Sequence, residues 1–176
     1  MFKTQKTTRS LVLLSVLAAL QIILARFCSF NAWNVRIGLG FIPVALAGIF
    51  FGPLPAALVA AVSDFLGAVL FPTGTYFPGF TLTAACTGLS FGFFLHNRMS
   101  TCDRLPRILL AVGLNQLLMS LGMNTLWISI LYGSSFTALL STRVLQVIVI
   151  APVQIMILTA LASVLKRADL QKVLAA

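Results

Sequence analysis

Apolar residues come in long runs along this chain, and polar residues collect in short gaps between them. The runs approach the roughly 17–25 residues that an α-helix needs to cross a bilayer. Six helices are predicted, over 10–26, 37–52, 54–71, 79–96, 107–131 and 138–165. Proline and glycine mark the breaks. "FGPLP" at 51–55 allows only a tight turn between the second and third helices, and "FPTGTYFPG" at 71–79 parts the third from the fourth. "HNRMSTCDRLPR" at 96–107 is a polar loop, and "YGSSF" at 132–136 ends the fifth helix. The pattern is that of an all-α integral membrane protein, a compact bundle of six transmembrane helices in one membrane-embedded domain over 1–176.

An even number of spans puts both termini on one side. Lys3, Lys6, Arg9, Arg98, Arg104, Arg107, Lys166, Arg167 and Lys172 then share that side, against Arg26, Arg36 and Arg143 on the other. Cations concentrate on the cytoplasmic side of membrane proteins, so both termini are expected there. "MFKTQKTTRSLVLLSVLAALQIILA" has the basic start and apolar core of a signal peptide, but no A-x-A site follows, and a retained first span is expected. Small-xxx-small pairs, Gly48/Gly52, Gly88/Gly92, Ala56/Ala60 and Ala57/Ala61, predict close helix packing within the bundle. No internal repeat points to an inverted-repeat carrier.

Composition agrees. The chain of 176 residues is 60% hydrophobic, with a mean hydropathy of +1.05. A soluble domain cannot present such a surface to water. The net charge of +9 would suggest nucleic acid in a soluble protein, but here the cations flank apolar runs and follow membrane topology. Cys28, Cys86 and Cys102 are widely spaced and form no CxxC.

Catalytic chemistry is scarce. The acids are Asp64, Asp103 and Asp169, and the sole histidine is His96. Asp103, Asp169 and His96 fall at the cytoplasmic side, so paired intramembrane carboxylates, a Ser/His pair and a metal cluster are all unavailable. There is no GxxxxGK[ST], so ATP hydrolysis by this chain is not expected. Binding, or transport powered by other chains, remains.

The three outward arginines are the candidate chemistry. Arg26 ends the first predicted helix, Arg36 starts the second and Arg143 lies in the first turns of the sixth. A guanidinium holds a carboxylate through paired, charge-assisted hydrogen bonds; the alternative is snorkelling to lipid phosphates. Aromatics crowd the same side, among them Tyr76, Phe77, Phe80 and Trp127. An interfacial belt accounts for some, but both Trp and both Tyr are outside, and flat ligands stack on such rings. Asp64, Asn115, Gln116, Asn124, Gln146 and Gln154 are polar positions inside spans and need partners. Asp64 can either balance an arginine or accept hydrogen bonds from a ligand. The residues thus point to an outward pocket for a flat, aromatic, anionic molecule.

The chain also resembles the substrate-binding S components of energy-coupling factor (ECF) vitamin transporters, specifically their folate family. The resemblance runs nearly the whole length and is carried by "RIGLGFIPVALAGIFFGPLPAALVAAVSDFLGAVLFPTGTYFPGFTLTA" (36–84), "NTLWISILYG" (124–133) and Arg143. It implies high-affinity folate capture from outside the bacterial cytoplasmic membrane. It also implies a transmembrane coupling protein and two ABC-type ATPases as partners, with ATP used by those partners and no cofactor in this chain. The family's small-residue docking face on the first helix has its nearest match in Ser15-xxx-Ala19. Under the resemblance, Arg26, Arg36 and Arg143 are candidates for the glutamate-tail carboxylates or the pterin carbonyl. Tyr76, Phe77, Phe80 and Trp127 are candidates for stacking, and Asp64 and Asn124 for the pterin edge. The alternatives are an S component for another vitamin, an intramembrane enzyme or assembly factor without a small ligand, and a self-sufficient carrier.

Overall fold

A computed structural model of the chain describes residues 8–32, 35–72, 75–96, 104–133 and 136–167. Lys3, Lys6, Trp33, Arg98, Cys102, Asp103, Asp169 and Lys172, and the side chain of Arg36, lie outside the described residues.

Six helices and one short hairpin follow in order. Helix α1 is Thr8–Arg26. Strand β1, Ser29–Ala32, pairs antiparallel with β2, Val35–Gly38. Then come α2, Phe41–Phe51, α3, Pro53–Leu70, and α4, Pro78–Leu95. Helix α5 runs without a break through three segments: Arg104–Leu114, a π-helical stretch Asn115–Met123, and Asn124–Tyr132. The last helix, α6, is Phe136–Arg167, 32 residues with Pro152 inside it. Five of the six helices are long and apolar enough to cross a membrane. The 11 residues of α2 rise only about 16 Å, roughly half the hydrocarbon thickness.

The six-helix bundle is as the hydrophobic pattern predicts, with one correction. The second helix starts at Phe41, not at 37, and Arg36 is a strand residue paired with Asn31. Val35 and Ile37 favour the extended chain. Gly38 and Gly40 let it run tight against its neighbours. A Cβ at Gly38 would sit 2.9 Å from Ser29 Cβ, and one at Gly40 would sit 3.0 Å from Ala25 Cβ. The hairpin thus lies over the end of α1.

Close packing at small residues holds the helices together, because lipid offers no hydrophobic drive for helix association. A Cβ at Gly88 would fall 2.5 Å from the Ala56 carbonyl oxygen, and one at Gly92 would run into the Pro53 backbone. A Cβ at Gly48 would meet Gly92 N at 2.9 Å. The predicted small-residue pairs are therefore spent on α2, α3 and α4 packing against one another. The turn between α2 and α3 needs glycine for its backbone: Gly52 has φ 93°, a value L side chains rarely adopt, and Pro53 opens α3 directly after it. Several hydroxyls in the bundle donate to carbonyls of their own helix, among them Thr83, Thr87 and Thr159. Ser63 Oγ donates to Val59 O at 2.6 Å and to Ala18 O at 3.2 Å, the latter tying α3 to α1.

The bundle has two distinct ends. At one, α1, α3 and α5 finish while α2, α4 and α6 begin. Arg26 lies there against Gly67, and Trp127 against Phe77. At the other end His96 Nδ1 sits 3.3 Å from Ile49 O, over the α2–α3 turn. The main core cluster, with Phe91, Leu95, Ile108, Val112 and Leu158, packs α4, α5 and α6 in the half toward that second end.

Candidate functional site

Between the first end and the core cluster lies a cavity of about 470 Å³. Helix α1 contributes Arg26 at its last turn, and the hairpin contributes Gly38. Arg26 fits because α3 has Gly67 opposite it: a Cβ there would be 3.0 Å from the guanidinium Nε. From α3 comes Asp64, whose Oδ2 accepts a 3.0 Å hydrogen bond from Thr81 Oγ1. Tyr76 OH lies 3.2 Å from that same hydroxyl, so the Tyr76–Thr81–Asp64 chain joins the 75–77 segment, α4 and α3.

Tyr76, Phe77 and Phe80 form an aromatic wall. Phe77 packs edge-on to Phe80 with centroids 6.3 Å apart, and lies 5.4 Å from the Trp127 ring at 45°. Trp127 is not among the residues lining the cavity. It stands behind Phe77 and donates from Nε1 to Thr83 Oγ1 at 3.1 Å, which fixes α5 to α4. Gly79 makes room for the pair, since a Cβ there would come within 2.6 Å of both rings.

Helix α5 supplies Asn115, Gln116, Met119, Ser120 and Asn124, mostly from its π-helical stretch. The Asn124 N–H bonds to Met119 O, the i→i+5 pattern that widens a helix. Such stretches are rare and gather at functional sites. Helix α6 supplies Arg143, Gln146, Ile150 and Gln154 along one face. Arg143 is only 6% exposed; its Nη1 donates to Ser120 O at 3.2 Å, while its Nε has no hydrogen-bond partner among the described residues. Gln116 Nε2 donates to Gln154 Oε1 at 3.0 Å, bridging α5 and α6.

Seven of the nine ligand candidates named from the sequence meet here, Arg26, Asp64, Tyr76, Phe77, Phe80, Asn124 and Arg143, and so do the polar span residues Asn115, Gln116, Gln146 and Gln154. Thr87, Met119 and Ser120 also line the cavity and carry no sequence signal. Ser120 matters through its carbonyl, which side-chain type cannot reveal. Ser15 and Ala19 lie elsewhere, exposed on α1, with Ser15 Oγ bonded back to Leu11 O at 2.9 Å.

The arrangement is a helical bundle around a cavity lined by cations, amides and aromatic rings, the surroundings that hold a small molecule. A family model described as the substrate-specific component of ECF transporters matches residues 9–162, and the chain belongs to that family. It is 36% identical over 153 residues to a folate transporter, FolT, of Clostridium novyi (strain NT), covering 87% of each chain. It is 32% identical to the FolT folate transporter of Leuconostoc mesenteroides, covering 84% of this chain and 81% of the relative. A crystal structure of FolT bound with folic acid superimposes with a TM-score of 0.83 at 33% identity, covering 89% of this chain and 94% of that one. The S component of another bacterial ECF transporter aligns with a TM-score of 0.62 at 25% identity, covering 90% and 98%. The family is one of transporter components, not of enzymes.

Proposed function

We propose that this chain is the folate-capturing S component of an ECF importer in a bacterial cytoplasmic membrane. The cavity carries the reading: two guanidinium groups, Arg26 and Arg143, border it together with an aromatic wall, as a flat dianionic molecule requires. The similarity to a FolT that holds folic acid supports it. In this reading Arg26 and Arg143, with Arg36 on β2, face the ligand's carboxylates or its ring carbonyl. Tyr76, Phe77 and Phe80 stack on its rings, and Trp127 buttresses Phe77. Asp64 and Asn124 meet polar ring atoms. The arginine end faces outward and the termini are cytoplasmic, in keeping with the cation count. Without a Walker motif, the chain relies on a transmembrane coupling protein and two ATPases, and docks to them through the α1 face carrying Ser15 and Ala19.

The test is a tryptophan-fluorescence titration of the purified protein in detergent, with folate, 5-formyltetrahydrofolate, riboflavin and thiamine as ligands. Trp127, against Phe77, is the reporter. Saturable quenching by the folates alone is expected. A charge-assisted hydrogen bond contributes about 1.5–3 kcal/mol, so Arg26→Ala or Arg143→Ala should weaken folate binding by roughly ten- to a hundredfold. Saturation by riboflavin or thiamine with no response to folates would replace the folate assignment with another vitamin.

A further inference from the structure

A threonine hydroxyl inside a helix commonly donates to the carbonyl four residues back, and Thr83, Thr87 and Thr159 do so. Thr81, in the first turn of α4, behaves differently. Its Oγ1 donates across to Asp64 Oδ2 of α3 at 3.0 Å. A hydroxyl has one proton, and here the carboxylate takes it. Toward Tyr76 OH, 3.2 Å away, the Thr81 oxygen therefore accepts and the phenol donates. The bonds run in one direction, from Tyr76 through Thr81 to Asp64. They end on a charged acceptor, which strengthens both links.

Tyr76 and Asp64 line the cavity, and Thr81 stands behind them. Tyr76 needs the support. It lies in the stretch 75–77, which is neither helix nor strand, and it is 40% exposed. No regular backbone ladder holds such a segment, and an exposed tyrosine has other rotamers open to it. Two contacts fix its side chain: an edge-on packing against Phe65, with centroids 5.8 Å apart, and the bond to Thr81. Phe65 is itself 47% exposed, so the ring contact alone is a loose anchor. Phe77, the next residue, is held differently, between Phe80 and Trp127.

We propose that Thr81 is a positioning residue for ligand binding: it fixes the Tyr76 ring in the cavity wall by passing the Asp64 anchor on to the phenol. The proposal rests on the folate reading, in which Tyr76 stacks on the ligand's rings. A ring ordered before the ligand arrives removes an ordering cost from binding. Asp64 then has a second task beside meeting the ligand, because its Oδ2 serves the wall.

The experiment titrates folate in detergent, read by tryptophan fluorescence, against wild type, Thr81→Val, Thr81→Ser, Tyr76→Phe and the Thr81→Val/Tyr76→Phe double variant. The melting temperature of each ligand-free protein is measured alongside. Thr81→Val keeps the branched shape, removes the hydroxyl and costs α4 no bond of its own. Thr81→Val and Tyr76→Phe should each weaken folate binding about three- to tenfold, with the wild-type melting temperature kept. Thr81→Ser keeps the hydroxyl and should restore affinity. The double variant should bind no worse than the weaker single one, since both substitutions cut the same chain. Folate affinity in Thr81→Val within about twofold of wild type would overturn the proposal. So would a Thr81→Ser as weak as Thr81→Val, or losses that add in the double variant. If Thr81→Val melts early, Tyr76→Phe decides: wild-type affinity there overturns the proposal, and weakened affinity at an unchanged melting temperature upholds it. A wild type that never saturates with folate sinks the folate reading itself; a wild type that saturates while the variants match it sinks only the role of Thr81.

Discussion

At the scale of single residues, the site depends on glycines as much as on charged groups. Gly67 admits the Arg26 guanidinium, and Gly79 admits the Phe77–Trp127 pair. Adding a methyl group at Gly79 forces both rings to move, because 2.6 Å is shorter than real Cβ contacts allow. Overpacking of this kind costs about 1–3 kcal/mol. Gly79→Ala is therefore expected to lower the melting temperature in detergent and to blue- or red-shift Trp127 emission even without ligand. An unchanged emission maximum and melting point would mean that the rings have slack. Trp127→Phe separates the two jobs of that indole: the ring contact to Phe77 survives, the bond to Thr83 is lost, and a modest stability loss of about 1 kcal/mol should follow. Individual residue types were legible in the sequence at this scale, and Arg26, Asp64, Asn124 and Arg143 stood out as polar groups in or beside apolar runs. Their partners were not. Arg143 leans on the Ser120 carbonyl and Asp64 on the Thr81 hydroxyl, and no spacing rule joins positions 23 or 17 residues apart.

At the scale of elements, α4 is the spine. Its Gly88 and Gly92 touch the backbone of α3, and Gly92 also meets Gly48 of α2. Gly92→Ala drives a methyl group into the Pro53 backbone, which cannot give way as a flexible side chain would. It should cost several kcal/mol and sharply reduce the yield of folded protein. Gly113 in α5 provides the contrast. A Cβ there meets nothing within 4 Å, and alanine is the better helix former by roughly 0.5–1 kcal/mol. Gly113→Ala should raise the melting temperature slightly and leave folate binding intact; opposite rankings of the two variants would show that the close α2–α3–α4 packing is not what holds the bundle. Helix limits were largely visible from Pro/Gly punctuation. The hairpin and the π-helical stretch were not, because both follow from how neighbouring helices crowd a segment rather than from its own pattern. The apolar run 37–52 shows the point: its first residues form β2 because the chain must turn tightly against the end of α1.

For the whole molecule, the exposed surface is apolar along its helices, with Leu11, Val12, Val16 and Leu20 of α1 all open beside Ser15 and Ala19. That surface suits lipid and, on α1, a partner helix that needs small residues for close approach. Ser15→Trp should leave the cavity untouched, since Ser15 is exposed and its hydroxyl is bonded back to Leu11 O of its own helix. Folate binding in detergent should match wild type, while uptake by cells or vesicles that also contain the coupling protein and ATPases should fall severely. Normal uptake would move the docking face elsewhere on the molecule.

The sequence by itself determined the helical content and the number of helices. Apolar runs near spanning length, parted by proline and glycine, record those locally, because a bilayer tests each segment separately. It also determined membership of a transporter family, through motifs that run along most of the chain. What only the tertiary structure decided is the cavity: which polar residues converge, that Trp127 supports the wall from behind, that Gln116 is spent on Gln154, and that Asn115 has no hydrogen-bond partner among the described residues. Those facts depend on helix rotation and on a change of helical pitch at Asn115–Met123. Both are set by packing between elements far apart in the chain, which no local pattern of residues records.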